Sequence, residues 1–209
     1  MASYESSEGD LVWACSNGQV EVVCQLLKLD GINVNAKNSG ETALIWASKE
    51  GQDGAVRELL KHEDIEVNAV DRDGQTALIW ASKKNYGAVV RELLKHDSAD
   101  VNAIDFEGRS AFYWASRRGD RPLIHEFLRH KRVDVNTTCK LHNTALMWAC
   151  LRGQSDVVSG LLTFPNLDLH AKNKAGSTAL EIACELELVE IARCLKEHIR
   201  DARKCKRWR

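Results

Sequence analysis

The residues of this 209-residue chain with most chemical potential are its histidines, cysteines and paired basic side chains, and their spacing is regular. His62, His96 and His130 are each 34 positions apart. One histidine per period places neighbours about 10 Å apart on packed helices, whereas zinc ligands sit about 2 Å from the ion. The row therefore forms no metal site, and each imidazole is expected near a helix C-terminus, where positive charge is favoured. Cys139-Lys140-Leu141-His142 is the one local Cys/His pair, and two ligands are a weak metal signal. The motifs G-x-x-x-x-G-K-[ST], G-x-S-x-G and H-E-x-x-H do not occur. With no convergent catalytic, cofactor-binding or metal-ligating set, the expectation is a protein without enzymatic activity or cofactor.

Charge recurs in register as well. Lys49-Glu50, Lys83-Lys84, Arg117-Arg118 and Leu151-Arg152 occupy the same two positions of successive periods, six of the eight basic in a chain of net charge -1. Each pair follows one stretch: Thr76-Ala77-Leu78-Ile79-Trp80-Ala81-Ser82, repeated in edited form at Thr42–Ser48, Ser110–Ser116, Thr144–Cys150 and Thr178–Cys184. A damaged copy, Leu11 to Cys15, precedes them. A fixed period of this length signals a stacked repeat array. Apolar residues three and four apart mark two short helices per copy, as in Leu44, Trp46 and Ala47, then Ala55, Val56, Leu59 and Leu60. Gly51, Gly119 and Gly153, and once Asn85, lie at the join, where a left-handed residue ends a helix. A hydroxyl residue at the start of each first helix can cap it. Residues 1 to 8 are polar and expected to fray.

Composition is ordinary for a globular chain, 44% hydrophobic and 28% charged. No apolar run approaches a membrane span, and the N-terminus lacks signal-peptide character. The expectation is an intracellular, cytoplasmic monomer, with the nucleus as a second location. Of the seven cysteines, Cys15, Cys150 and Cys184 share the register of Ser48, Ser82 and Ser116, and read as small buried filler.

The chain resembles the ankyrin repeat family over almost its whole length. One copy carries Asp71, Gly74, Thr76, Leu78, Ala81, Val89, Val90, Leu93, Leu94 and Asp100-Val101-Asn102-Ala103 at the family's positions. The resemblance implies an all-α ankyrin-type solenoid of helix-turn-helix repeats with projecting β-turns. It would be one domain, with repeats at about 8–38, 39–72, 73–106, 107–140, 141–174 and 175–200 and a basic tail at 201–209. The family's proline and histidine are replaced throughout. Alanines 43, 77, 111, 145 and 179 stand for the proline; Ile45, Ile79, Tyr113, Met147 and Glu181 stand for the histidine. Packing must therefore replace the histidine's inter-repeat hydrogen bonds. Trp13, Trp46, Trp80, Trp114 and Trp148 share one register and are expected to staple neighbouring repeats.

The family binds partners mainly through turn tips and the exposed end of the first helix. Carried onto this chain, that implies another protein as partner. Its contacts would be Lys49, Lys83, Lys84, Arg117, Arg118 and Arg152, with Arg72, Arg109 and the aromatic Phe106 at the turns. These would align as a cationic stripe across repeats two to five, suited to an acidic or phosphorylated segment. Asn68, Asn102 and Asn136 resemble substrates of an oxygen-dependent asparaginyl hydroxylase, and each also reads as a hydrogen-bonding connector. The function expected is an adaptor or scaffold. Two alternatives stand beside it: a nuclear or nucleic-acid-associated regulator using the tail, and a targeting module that delivers a bound protein to a larger complex. The tail itself, from Lys196 to Arg209, reads as a solvated helix end, a nuclear-import or nucleic-acid patch, or a membrane-surface anchor using Trp208.

Overall fold

The computed structural model describes residues 4–130 and 132–206, with side chains for 8–130 and 132–200. Beyond the helical backbone to Lys206, the basic tail lies outside the described residues, as does Trp208. The chain divides into two compact units, Met1–Phe106 and Glu107–Arg209.

In the first unit, α1 (Tyr4–Ser16), α3 (Ala43–Glu50) and α5 (Ala77–Lys84) pack in succession, as do α2 (Val20–Leu26), α4 (Asp53–Leu59) and α6 (Gly87–Lys95). Two short strands, β1 (Lys37–Asn38) and β2 (Glu41–Thr42), pair antiparallel with Lys37 opposite Thr42 and form one projecting turn. In the second unit, α7 (Ala111–Arg118), α9 (Ala145–Leu151) and α11 (Ala179–Glu185) form one row. Its companions are α8 (Arg121–Leu128), α10 (Ser155–Leu161) and α12 (Val189–Lys206). Each unit is a helical stack of the expected all-α, turn-projecting class. Among the described residues, no helix is long and apolar enough to cross a membrane.

The sequence signals act locally as chemistry requires. Thr42, Thr76, Ser110 and Thr144 each accept a hydrogen bond from the backbone N–H three residues on, at 3.1–3.3 Å. Thr178 does so within a full capping box with Glu181, whose carboxyl that cap holds below the usual range. These bonds satisfy N–H groups that a helix leaves open at its start. The first helices end on left-handed residues: Gly51 at φ 76°, Asn85 at 70° and Gly119 at 75°. His142, at φ 58°, adopts the left-handed conformation in the turn position that glycine holds in other copies.

Ile45, Ile79, Tyr113 and Met147 are all buried, so packing does replace the family's histidine. Burial pushes the Tyr113 phenol up to about 12, and the Cys15 and Cys150 thiols likewise. The connector asparagines bridge consecutive repeats with both ends of their amides. Asn68 donates to the Ser98 carbonyl at 2.7 Å and accepts from Asp100 N at 2.8 Å. Asn136 does the same with Asn166 and Asp168. Asn102 is half-buried, and its N–H donates to Asp100.

Three expectations are corrected. The N-terminal stretch expected to fray is helical from Tyr4. Cys184 is exposed rather than buried filler, because among the described residues no further first helix packs beyond α11. Trp13 is 57% exposed, because among the described residues no earlier repeat packs beyond α1, whereas Trp80 is covered by Lys49 of the preceding copy.

Candidate interaction surface

The last turns of α5 and α7 carry the basic pairs Lys83-Lys84 and Arg117-Arg118, and that of α3 carries Lys49; the indole three residues before the first cation of each sets what that cation contacts. In the first unit the Lys49 ammonium lies 4.7 Å from the Trp46 ring and 4.6 Å from the Trp80 ring. A cation over an indole face is attracted by the ring's quadrupole. The same ammonium donates to both Glu41 oxygens, at 2.9 and 3.2 Å. Lys49 is thus half-buried, sandwiched and neutralised. Lys83 repeats the arrangement with less charge: it sits 4.3 Å from the Trp80 ring and donates to Gln75 Oε1 at 3.2 Å. Lys84, its neighbour, is exposed.

In the second unit the guanidinium of Arg117 stacks on two indoles, 5.3 Å from Trp114 and 5.9 Å from Trp148. Arg109 stacks on Trp114 at 4.9 Å. Arg109 holds the register of Glu41 and Gln75, eight residues before the stacked cation, so a second cation replaces the acceptor. Arg152 donates to the Arg117 carbonyl at 2.9 Å. Arg117, Arg118 and Arg152 are exposed.

The indole N–H groups are met unevenly. Trp80 donates to Asp71 Oδ2 at 2.7 Å, while Asp71 Oδ1 accepts from the backbone of Asp73 and Gln75. At that register the copies containing Trp46 and Trp148 have Lys37 and Cys139, which offer no carboxylate. Among the described residues, both of those indole N–H groups are buried without a hydrogen-bond partner.

The turn tips contribute a second line of contacts. Arg72 lies across Gly40, where an added Cβ would come 2.8 Å from its Nε. Phe106 lies across Gly74 in the same way, yet keeps 72% of its surface exposed. Its N–H donates to the Asp73 carbonyl at 3.1 Å. Lys140 pairs with Glu107 at 2.6 Å, and that contact lowers the Glu107 carboxyl below its usual range.

The candidate residues therefore separate by role. In the first unit, Lys49 and Lys83 are engaged internally, while Lys84, Arg72 and Phe106 face outward. In the second, Arg109 and Arg117 are stacked, and Arg118 and Arg152 are exposed beside them in sequence register. Reading the basic pairs alone misses Glu41 and Gln75. The signal that finds them is the eight-residue offset shared by 41/49, 75/83 and 109/117.

A family model described as ankyrin repeats (3 copies) matches residues 11–105 and 112–207. No curated protein sequence matches the chain. Among solved structures, an ankyrin repeat domain (ABAYE2397) from Acinetobacter baumannii AYE is 25% identical with a TM-score of 0.82, over 90% of this chain and 97% of that one. The ankyrin repeat domain of Bcl-3, a unique member of the IkappaB protein family, is 24% identical with a TM-score of 0.78, over 90% and 85%. A chain in the structure of the Bd0816 predatory endopeptidase from Bdellovibrio bacteriovorus in complex with immunity protein Bd3460 is 28% identical, with a TM-score of 0.73, over 90% and 96%.

Proposed function

The chain belongs to the ankyrin repeat family, and from that footing we propose that it is a non-catalytic interaction module that binds an acidic segment of a partner protein. Ankyrin repeats are generic protein-binding units, and the match to a chain from a two-protein complex supports the reading. The contacts would come from Lys84, Arg117, Arg118 and Arg152 at the first-helix ends, with Arg72 and Phe106 at the turns. One observation carries the proposal. The alanine and the hydroxyl cap that stay constant in the interior repeats are buried, whereas Lys84, Arg117, Arg118 and Arg152, at positions that vary between repeats, are exposed basic side chains. Guanidiniums present planar forks that match carboxylate oxygens, and a few such contacts beside an exposed aromatic can carry most of an interface's energy.

The test is the triple variant Lys84→Glu, Arg117→Glu, Arg118→Glu, compared with wild type in quantitative affinity purification. The variant should keep its helical circular dichroism and lose its principal partner at least tenfold. A partner retained at wild-type level would remove this surface from consideration. Salt-insensitive failure to bind random DNA fits the module reading, whereas steep salt-dependent binding would favour a nucleic-acid role for the tail.

A further inference from the structure

The turns between repeats provide an internal comparison. Ser39, Asp73 and Glu107 each precede a turn glycine, at Gly40, Gly74 and Gly108. The residues 33 positions further on, in the next turn, are Arg72, Phe106 and Lys140. Where an acid and a cation meet at these two positions they pair: the Lys140 ammonium lies 2.6 Å from the Glu107 carboxylate. In the first unit the cation is present without the acid. Arg72 lies with its Cγ, Cδ and Nε across Gly40. Its guanidinium is exposed and makes no hydrogen bond or ion pair among the described residues. Ser39 puts a hydroxyl in the acid's place. It shares with Gly40 the two-residue turn between β1 and β2, at φ 55°. That left-handed conformation suits glycine or asparagine and is unfavourable for serine, and such outliers cluster at functional positions. The Ser39 side chain is exposed, and its hydroxyl makes one bond among the described residues, to Asn38 Oδ1 at 3.2 Å.

We propose that Ser39 is a phosphorylation site whose phosphoryl group is bound by Arg72. In the transfer, Ser39 Oγ bonds to the γ-phosphorus of ATP held by a protein kinase. The bond from that phosphorus to the β,γ-bridging oxygen breaks, ADP leaves, and the hydroxyl proton passes to the kinase's catalytic base. The product carries a charge of about -1.5 to -2 and three acceptor oxygens, which a guanidinium meets with parallel N–H donors. Consecutive Cα atoms are about 3.8 Å apart, so a phosphoryl group on Ser39 is within reach of a guanidinium lying over Gly40. The pair reproduces in the first unit the link that Glu107 and Lys140 make in the second. It also withdraws Arg72 from the partner surface proposed above; that consequence rests on the partner-binding reading, whereas the site does not.

The full chain is incubated with radiolabelled ATP in an extract of its own cells, beside Ser39→Asn, which suits the left-handed turn and removes the hydroxyl. The expected result is phosphate located on Ser39 by mass spectrometry, with label reduced at least fivefold in Ser39→Asn. No phosphate on Ser39 would overturn the site. For the contact, phosphoserine is installed at position 39 during synthesis of the full chain, and the Arg72 Nε–H resonance is compared with that of the unmodified chain. Modification should shift it downfield and slow its exchange with water at least fivefold. A phosphatase should release the phosphate at least fivefold faster from the Arg72→Gln chain than from the chain with Arg72. An unmoved resonance or equal release rates would overturn Arg72 as the binding group. The charge-reversed triple variant alters neither Ser39 nor Arg72, so failure of this inference and failure of the partner surface are read separately.

Discussion

The same tryptophan register is used in opposite ways in the two units. Around Trp46 and Trp80, the cation is closed off: Lys49 is sandwiched and neutralised by Glu41, Lys83 is tied to Gln75, and Asp71 holds the Trp80 N–H. Around Trp114 and Trp148, two arginines stack and the acceptor position is itself cationic. The register therefore sets its stacked lysines against acceptors in the first unit and sets two guanidiniums against one indole in the second. A repeated motif fixes the geometry, while the residue eight positions before its cation, Glu41, Gln75 or Arg109, sets the charge beside the indole.

The largest expected effects come from the cores. Phe112 and Phe127 pack at 5.7 Å between ring centroids in the second unit, at the register where the first unit has Leu78 and Leu93. Phe127→Ala should cost about 3–5 kcal/mol and Leu93→Ala about 2–5 kcal/mol in urea unfolding. A loss below about 1 kcal/mol at either position would contradict the packing described.

The tryptophan N–H groups sharpen the contrast next. Trp80→Phe removes a donor and leaves the buried Asp71 carboxylate one bond short, an expected loss of about 1–3 kcal/mol beyond the change in ring size. Trp148→Phe removes an N–H that has no partner among the described residues and should cost clearly less. Equal losses would show that the Asp71 bond contributes nothing.

Ser48, Ser82 and Ser116 bury hydroxyls that have no hydrogen-bond partner among the described residues. Ser82→Ala should therefore raise stability, by up to about 1 kcal/mol, seen as a higher melting temperature. A lower melting temperature would mean the hydroxyl is bonded in solution.

The smallest effect concerns pH. Lys61 holds Glu58 below the usual carboxylate range, and Lys95 together with Arg57 does so for Glu92. A carboxyl depressed by folding stabilises fully above its unfolded value of about 4.3, and that contribution is lost as pH falls through the folded value. Replacing both with Gln should flatten the acid limb of stability by only about 0.2–0.5 kcal/mol per pair. An unchanged acid limb would assign the slope to other carboxyls.

Much of the fold was legible because its signals are local. The Thr76 hydroxyl reaches an N–H three residues on, and Gly51 or Asn85 must be left-handed to end a helix; neither depends on distant residues. The burial of Ile79 and its counterparts followed from register alone. The fate of Lys49 was less legible, because it depends on Glu41 across a turn and on an indole one repeat away. The exposure of Trp13 and Cys184 depends on what neighbours a terminal repeat, which an interior pattern does not encode. Phe106 was legible as a turn-tip aromatic, but its placement over Gly74 needed the turn's three-dimensional path.

Position 49 is expected to serve stability, and position 117 to serve the proposed partner contact. Parallel urea unfolding of Lys49→Met and Arg117→Met tests it most directly, since methionine keeps much of each stem and deletes the charge. Lys49→Met strands the partly buried Glu41 carboxylate and should cost about 1–3 kcal/mol. Arg117→Met leaves no carboxylate behind and should cost under about 1 kcal/mol, the range of an exposed cation–π contact. An Arg117→Met loss equal to or larger than that of Lys49→Met would contradict the division of labour between the two units.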